Sequence, residues 1–193
     1  MYAFLGKIAA IILKLFSKIT VKNLHHIPKD KGFIVACNHT GWMDIVSLGV
    51  ALLPQQIHFM AKKELFQNKI AEKFLKSLNA FPVDRENPGT SSIRIPVNLL
   101  KEGKIVGIFP SGTRSDDAPM KRGAVTIANL AKVPVVPAAY TGPETLKGVL
   151  KRERIHVIFG EPMEINARGK EQLLEKTEEL SKRIQELESQ LKK

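Results

Sequence analysis

At 193 residues the chain can build one core-forming domain and is too short for two of ordinary size. Its 44% hydrophobic and 25% charged residues exclude wholesale disorder, a collagen-like repeat and a polytopic membrane protein. A formal net charge of +11 and a pI near 9.8 require an anionic partner: nucleic acid, lipid headgroups, a phosphorylated substrate or an acidic protein. The single cysteine, Cys37, permits neither an internal disulfide nor a cysteine-based zinc site and fits a reducing, cytosol-facing location.

The N-terminal stretch 1–20 is apolar but interrupted by Lys7, Lys14 and Lys18. On a helical projection Phe4, Ile8, Ile11, Ile12, Leu15 and Ile19 gather on one side with the lysines on a flank, while Leu13 falls off the arc. The lysine-free run Ile8 to Leu13 is far shorter than the roughly 20 residues of a spanning helix. No small-residue cleavage site marks a signal peptide. Two readings stand: a helix lying in the interface of an anionic membrane, or a helix packed on its own domain. The lack of any acid before Asp30 favours the membrane surface.

Short apolar runs then alternate with helical stretches, the signature of an α/β sheet domain. Strands are expected at Phe33–Cys37, Ile57–Ala61, Ala80–Val83, Ile105–Phe109, Val133–Ala138 and Ile155–Phe159, and helices at Asp44–Leu53, Glu64–Leu78, Ser91–Lys101 and Gly123–Ala131. A charged helix from Lys170 to Lys192 carries Leu173, Leu174, Leu180, Ile184, Leu187 and Leu191 as a seam that covers the sheet. The expected architecture is therefore a single α/β domain, a mixed, mostly parallel central sheet flanked by helices, behind an amphipathic membrane-surface helix.

Asn38-His39-Thr40-Gly41-Trp42-Met43-Asp44 directly follows the first long apolar strand. A strand, a short polar turn and a helix start put side chains at the carboxyl edge of a sheet, where α/β enzymes keep their sites. An imidazole that removes a hydroxyl proton needs its other nitrogen held, and a carboxylate folded back across the turn does that. His39 and Asp44 have this relation; helix capping in a polar loop is the plainer account of the same residues. Trp42 and Met43 either line a tunnel or pack the first turn on the core, and one of the two is read as packing.

Three further stretches begin at or just past strand ends: Phe81-Pro82-Val83-Asp84-Arg85, Phe109-Pro110-Ser111-Gly112-Thr113-Arg114-Ser115 and Val133-Pro134-Val135-Val136-Pro137. Arg85 and Arg114 offer planar forks suited to a phosphate, and Gly112 allows close backbone approach. Lys62 and Lys63 either add charge to such a site or are solvated lysines at a helix start.

In this order the four stretches resemble the glycerolipid acyltransferase family. His39 and Asp44, preceded by Asn38, match its His-x4-Asp box; Asp84 and Arg85 match its second block; Phe109 to Ser115 match its third; and Val133 to Pro137 match its Val-Pro-rich fourth. Two positions depart: Ser111 stands in place of a glutamate, and Gly41 in place of a serine common in the family, at the cost of a local hydrogen bond.

The resemblance implies an acyltransferase domain over 21–193 behind the interfacial helix 1–20. It also implies transfer of a fatty acyl group from an acyl carrier protein or coenzyme A thioester to the free hydroxyl of lysophosphatidic acid. His39 would be the general base and Asp44 its orienting carboxylate. Arg85, Ser111, Gly112, Thr113 and Arg114, with Lys62 and Lys63, would bind the acceptor phosphate. No metal or cofactor is required, and the expected location is the cytoplasmic face of a membrane, held peripherally by anionic lipids.

Other acceptors, glycerol-3-phosphate or a lipid A precursor, are the nearest rivals. A basic nucleic-acid-binding module is disfavoured because aromatics are only 6% and no basic stripe is interleaved with stacking residues. A Gly-x-Ser-x-Gly elbow, a Gly-x-Gly-x-x-Gly fingerprint and a P-loop are all missing from the sequence, against serine-hydrolase and nucleotide chemistry. Cys37, at the end of an apolar strand, is read as buried and not as an acyl-carrying nucleophile.

Overall fold

The run Phe33–Cys37 contains no polar side chain apart from its thiol, and a strand of that kind is stable only with both faces covered. In the computed structural model, which describes residues 1–84, 89–110 and 122–192, all five of its residues are buried. Its Phe33, Val35 and Cys37 point into one apolar core and Ile34 and Ala36 into a second, on the opposite side of the sheet.

Among the described residues the strands are β1 (Thr20–Lys22), β2 (Phe33–Cys37), β3 (Ile57–Lys62), β4 (Ala80–Val83), β5 (Ile105–Ile108), β6 (Val135–Thr141) and β7 (His156–Phe159). They form one sheet in the order β1-β7-β6-β2-β5-β3-β4. Five strands run parallel; β7 is antiparallel to β6, and β1 is parallel to β7. This is the mixed, mostly parallel sheet expected from the alternating runs, with β1 added as a short edge strand.

The helices are α1 (Tyr2–Phe16), α2 (Met43–Ala51), α3 (Lys69–Ser77), α4 (Ser91–Lys101), α5 (Gly123–Ala131), α6 (Leu146–Leu150) and α7 (Gly169–Leu191). The single helix expected over Glu64–Leu78 is divided into a 3-10 turn, Lys63–Phe66, and α3. The division falls at Asn68, whose side chain accepts hydrogen bonds from Ile70 N and Ala71 N and so restarts the helix. Leu180, Ile184 and Leu187 bury the α7 seam, while Leu174 stands outside it, 49% exposed. The strand expected over Val133–Ala138 starts later, at Val135, and ends at Thr141.

Helix α1 packs on α2 and α6, and its one buried residue is Leu13, the position that sequence projection sets off the apolar arc. The arc itself faces outward: Phe4 is 67%, Ile11 59% and Leu15 69% exposed. One stripe thus ties α1 to the domain while a second, wholly apolar stripe is left to the surroundings. No helix among the described residues is long and apolar enough to cross a membrane.

Candidate active site

The centre of the sheet places β2 between β5 and β6, with Ala36 opposite Ile108 and Cys37 opposite Ala138. The residues that follow these strand ends meet at the carboxyl edge. Asn38 continues the strand by other means: its side-chain amide donates to Tyr140 O at 3.0 Å and its carbonyl oxygen accepts from Tyr140 N at 2.8 Å. The amide takes the place of a backbone pair, fixing the exit direction of the chain immediately before His39.

At His39 the turn doubles back. Asp44, in the first turn of α2, is fully buried, and its Oδ2 lies 3.0 Å from His39 Nδ1. The same oxygen accepts from Thr40 N at 2.8 Å and from Gly41 N at 3.0 Å. Three donors on one oxygen offset the desolvation of a buried carboxylate and lock the turn to it. A carboxylate accepts only, so Nδ1 carries the proton and Nε2 presents its lone pair. The sequence pairing of His39 with Asp44 is therefore present, and the arrangement can withdraw a proton from a hydroxyl while holding the resulting imidazolium.

Glycine at position 41 has a further cause. A Cβ there would lie 2.4 Å from Glu144 O and 2.7 Å from Glu144 Cα, because the loop after β6 presses against the turn. The serine common in the resembling family would not fit this backbone, so Gly41 reflects close approach as well as a missing hydroxyl.

Phe109, the first residue past β5, stacks on His39 with ring centroids 4.3 Å apart and planes at 27°. Phe59 of β3 lies nearly parallel to Phe109 at 6.1 Å. Gly107 makes this column possible, since a Cβ there would sit 2.4 Å from the Phe59 ring. Sequence reasoning missed the role of Phe109, which its position beside the box in the sheet edge could have suggested. Phe59 is also one wall of an apolar cavity of about 240 Å³ between α1, α2 and α3, lined among others by Tyr2, Leu5, Val46, Val50 and Phe74. The aromatic column connects this cavity to His39.

The second block arrives as expected at the same edge: Lys62 is paired in register with Val83, and Lys63 Nζ forms an ion pair with Asp84 at the end of β4. Lys63 thus shares its charge with a carboxylate, whereas Lys62 is exposed at the strand end. Arg85, Ser111, Gly112, Thr113 and Arg114 lie outside the described residues. Met43 is the buried member of its pair, at 2%, and Trp42 is 42% exposed. Cys37 is buried and donates to Asn38 Oδ1 at 3.3 Å; burial, reinforced by the nearby Asp44 and Glu188 carboxylates, pushes its thiol well above the ordinary range. Such a thiol is a poor nucleophile. Among the described residues no three His, Cys, Asp or Glu side chains gather as a metal-ligand set.

The fold and this edge define a class. A sequence model of the family described as Acyltransferase matches residues 18–141, more than half of the chain, and the chain belongs to that family. It is 54% identical over 196 aligned residues to the 1-acyl-sn-glycerol-3-phosphate acyltransferase of Bacillus subtilis (strain 168), covering 99% of this chain and 98% of that protein. It is 40% identical to the 1-acyl-sn-glycerol-3-phosphate acyltransferase of Streptococcus pneumoniae (strain ATCC BAA-255 / R6), covering 83% of this chain and 61% of that one. Its fold is similar to the crystal structure of the 1-acyl-sn-glycerophosphate acyltransferase PlsC from Thermotoga maritima, with a TM-score of 0.69, 27% identity and coverage of 95% of this chain and 80% of that one. The resemblance seen in the four blocks is thereby extended to nearly the whole chain.

Proposed function

We propose that this acyltransferase moves a fatty acyl group from a thioester to the sn-2 hydroxyl of 1-acylglycerol-3-phosphate, yielding phosphatidic acid for phospholipid synthesis. The observation that carries the proposal is the His39 and Asp44 pair at 3.0 Å, with no hydrogen bond to Nε2 from the described residues, beside an apolar cavity. The named activities of the B. subtilis and S. pneumoniae relatives support the choice of acceptor.

His39 Nε2 takes the hydroxyl proton as the oxygen attacks the thioester carbonyl, a contribution of roughly 10² to 10⁴ in rate. That attack forms the C–O bond and gives a tetrahedral intermediate, whose collapse breaks the C–S bond. The imidazolium, held through Nδ1 by Asp44, returns its proton to the departing sulfur. The ester and a free thiol result, and no electrons change hands. Arg85 and Arg114, with Ser111, Gly112, Thr113 and Lys62, bind the acceptor phosphate, and Ser111 contributes a hydroxyl where the family has a carboxylate. The cavity beside Phe59 receives an alkyl chain. The donor is acyl carrier protein or coenzyme A, both anionic partners for a +11 chain. The enzyme works peripherally at the cytoplasmic membrane face, with the outward apolar stripe of α1 in an anionic lipid surface.

The test is transfer of labelled acyl groups from both thioesters onto lysophosphatidic acid, comparing the native chain with His39→Ala. Product from the native chain alone supports the reaction and its base together. Failure with this acceptor but turnover of glycerol-3-phosphate or a lipid A precursor would reassign the acceptor, and failure with all three would overturn the reading.

A further inference from the structure

We infer that α3 and the 3-10 turn before it form a second membrane contact, so that the lipid surface is met by two separate elements, α1 and α3, on either side of the cavity mouth. The inference rests on the proposed membrane association and adds a surface that the sequence does not suggest. Three large apolar side chains here are left in the open: Leu65 at 53%, Ile70 at 82% and Phe74 at 52% exposed. A capped, well-formed helix holds Ile70 and Phe74 on one face at a spacing of four residues. Apolar groups that gain nothing from the fold mark a surface made for an apolar neighbour.

Charge and position identify the neighbour. Between residues 62 and 76 there are five lysines and two glutamates, and one of those glutamates, Glu72, pairs with Lys76. Lys69 and Lys73 lie beside the Ile70 and Phe74 face, the arrangement of a helix that sinks its apolar side chains below anionic headgroups. Phe74 lines the cavity opposite Tyr2 and Leu5 of α1, so α3 and α1, whose outward stripe lies on its other face, border the same cavity. An anionic bilayer suits both halves of that border, whereas an acidic protein would satisfy the lysines and leave the apolar stripe of α1 uncovered.

The experiment is flotation of the full chain with phosphatidylglycerol-containing vesicles, in native form, as Leu65→Glu/Ile70→Glu and as Ile11→Glu/Leu15→Glu. None of these four positions lines the cavity or belongs to the His39 site, so transfer to a short-chain lysophosphatidic acid dispersed as monomers reports an intact enzyme in each. The α3 pair should lower vesicle partitioning by about tenfold to a hundredfold. Lys69→Gln/Lys73→Gln should weaken binding to anionic vesicles more than to zwitterionic ones. Native partitioning by the α3 pair, together with loss in the α1 pair, would overturn the second contact and leave membrane association standing. A native chain that ignores vesicles would overturn both. A defect seen only with the carrier-protein donor would make this face a docking site for that protein and refute the inference.

Discussion

Replacing Asp44 with asparagine and with alanine separates its two tasks, because all of its hydrogen bonds converge on one oxygen. Oδ2 accepts from His39 Nδ1, Thr40 N and Gly41 N at 2.8 to 3.0 Å, and Oδ1 takes no hydrogen bond from the described residues. An asparagine oxygen in the Oδ2 position keeps all three donors matched, including the one that fixes the imidazole tautomer. What it loses is the charge facing the imidazolium. At an effective dielectric near 20 two charges whose centres are about 4 Å apart interact by about 4 kcal/mol; with part of the proton transferred in the transition state, about 2–4 kcal/mol is lost, or roughly 30- to 1000-fold in kcat.

Alanine removes the acceptor altogether and leaves two buried backbone N–H groups unmatched, at about 1–3 kcal/mol each. Asp44→Asn should therefore unfold within about 1 kcal/mol of the native chain, whereas Asp44→Ala should lose about 2–5 kcal/mol and nearly all activity. Steady-state acyl transfer at saturating donor and urea unfolding at one pH give both quantities. If asparagine destabilises as much as alanine, the single-oxygen geometry is wrong. If asparagine retains activity within threefold of native, the charge is not what Asp44 supplies.

Phe109→Leu should lower kcat about threefold to tenfold with both KM values unchanged, since the ring holds His39 and touches no substrate in this reading; a change confined to KM would make it a substrate contact. Gly41→Ala should cost about 1–3 kcal/mol in urea unfolding, because its Cβ meets backbone of Glu144 at 2.4 Å; native stability would show that the loop yields freely. Cys37 should resist thiol reagents in the native state. The unfolded thiol also ionises at its ordinary value while the buried one keeps its proton, so stability should fall as pH rises past about 9, and Cys37→Ala should lessen that fall. Rapid native labelling would refute the burial argument.

The strands and helices with strong local signals were legible. Phe33–Cys37, Ala80–Val83, Ser91–Lys101 and Gly123–Ala131 have the bounds their patterns predict. The short β1 was not: Thr20–Lys22 is too brief for a period and becomes a strand only through pairing with β7, more than 130 residues away. Helix α1 was readable as amphipathic, but which stripe faces the domain depends on where α2 and α6 lie, and Leu13 fell on the unexpected side. His39 and Asp44 were visible because their geometry is local. Phe109 was not, because its contact with His39 is set by the register of β2 against β5.

The His39 site divides its labour along the chain. Among the described residues, the hydrogen bonds that aim the imidazole lie within or reach the seven residues from Asn38 to Asp44, with the Phe109 ring stacked beside them. The groups proposed to bind the acceptor follow other strands in the sequence. On the proposed assignment, a drifting sequence can exchange the segments that follow other strands, and with them the molecule that is acylated, while the heptapeptide proposed to handle the proton is inherited as a finished part. On that assignment, Ser111 in place of glutamate falls in the half that is free to vary.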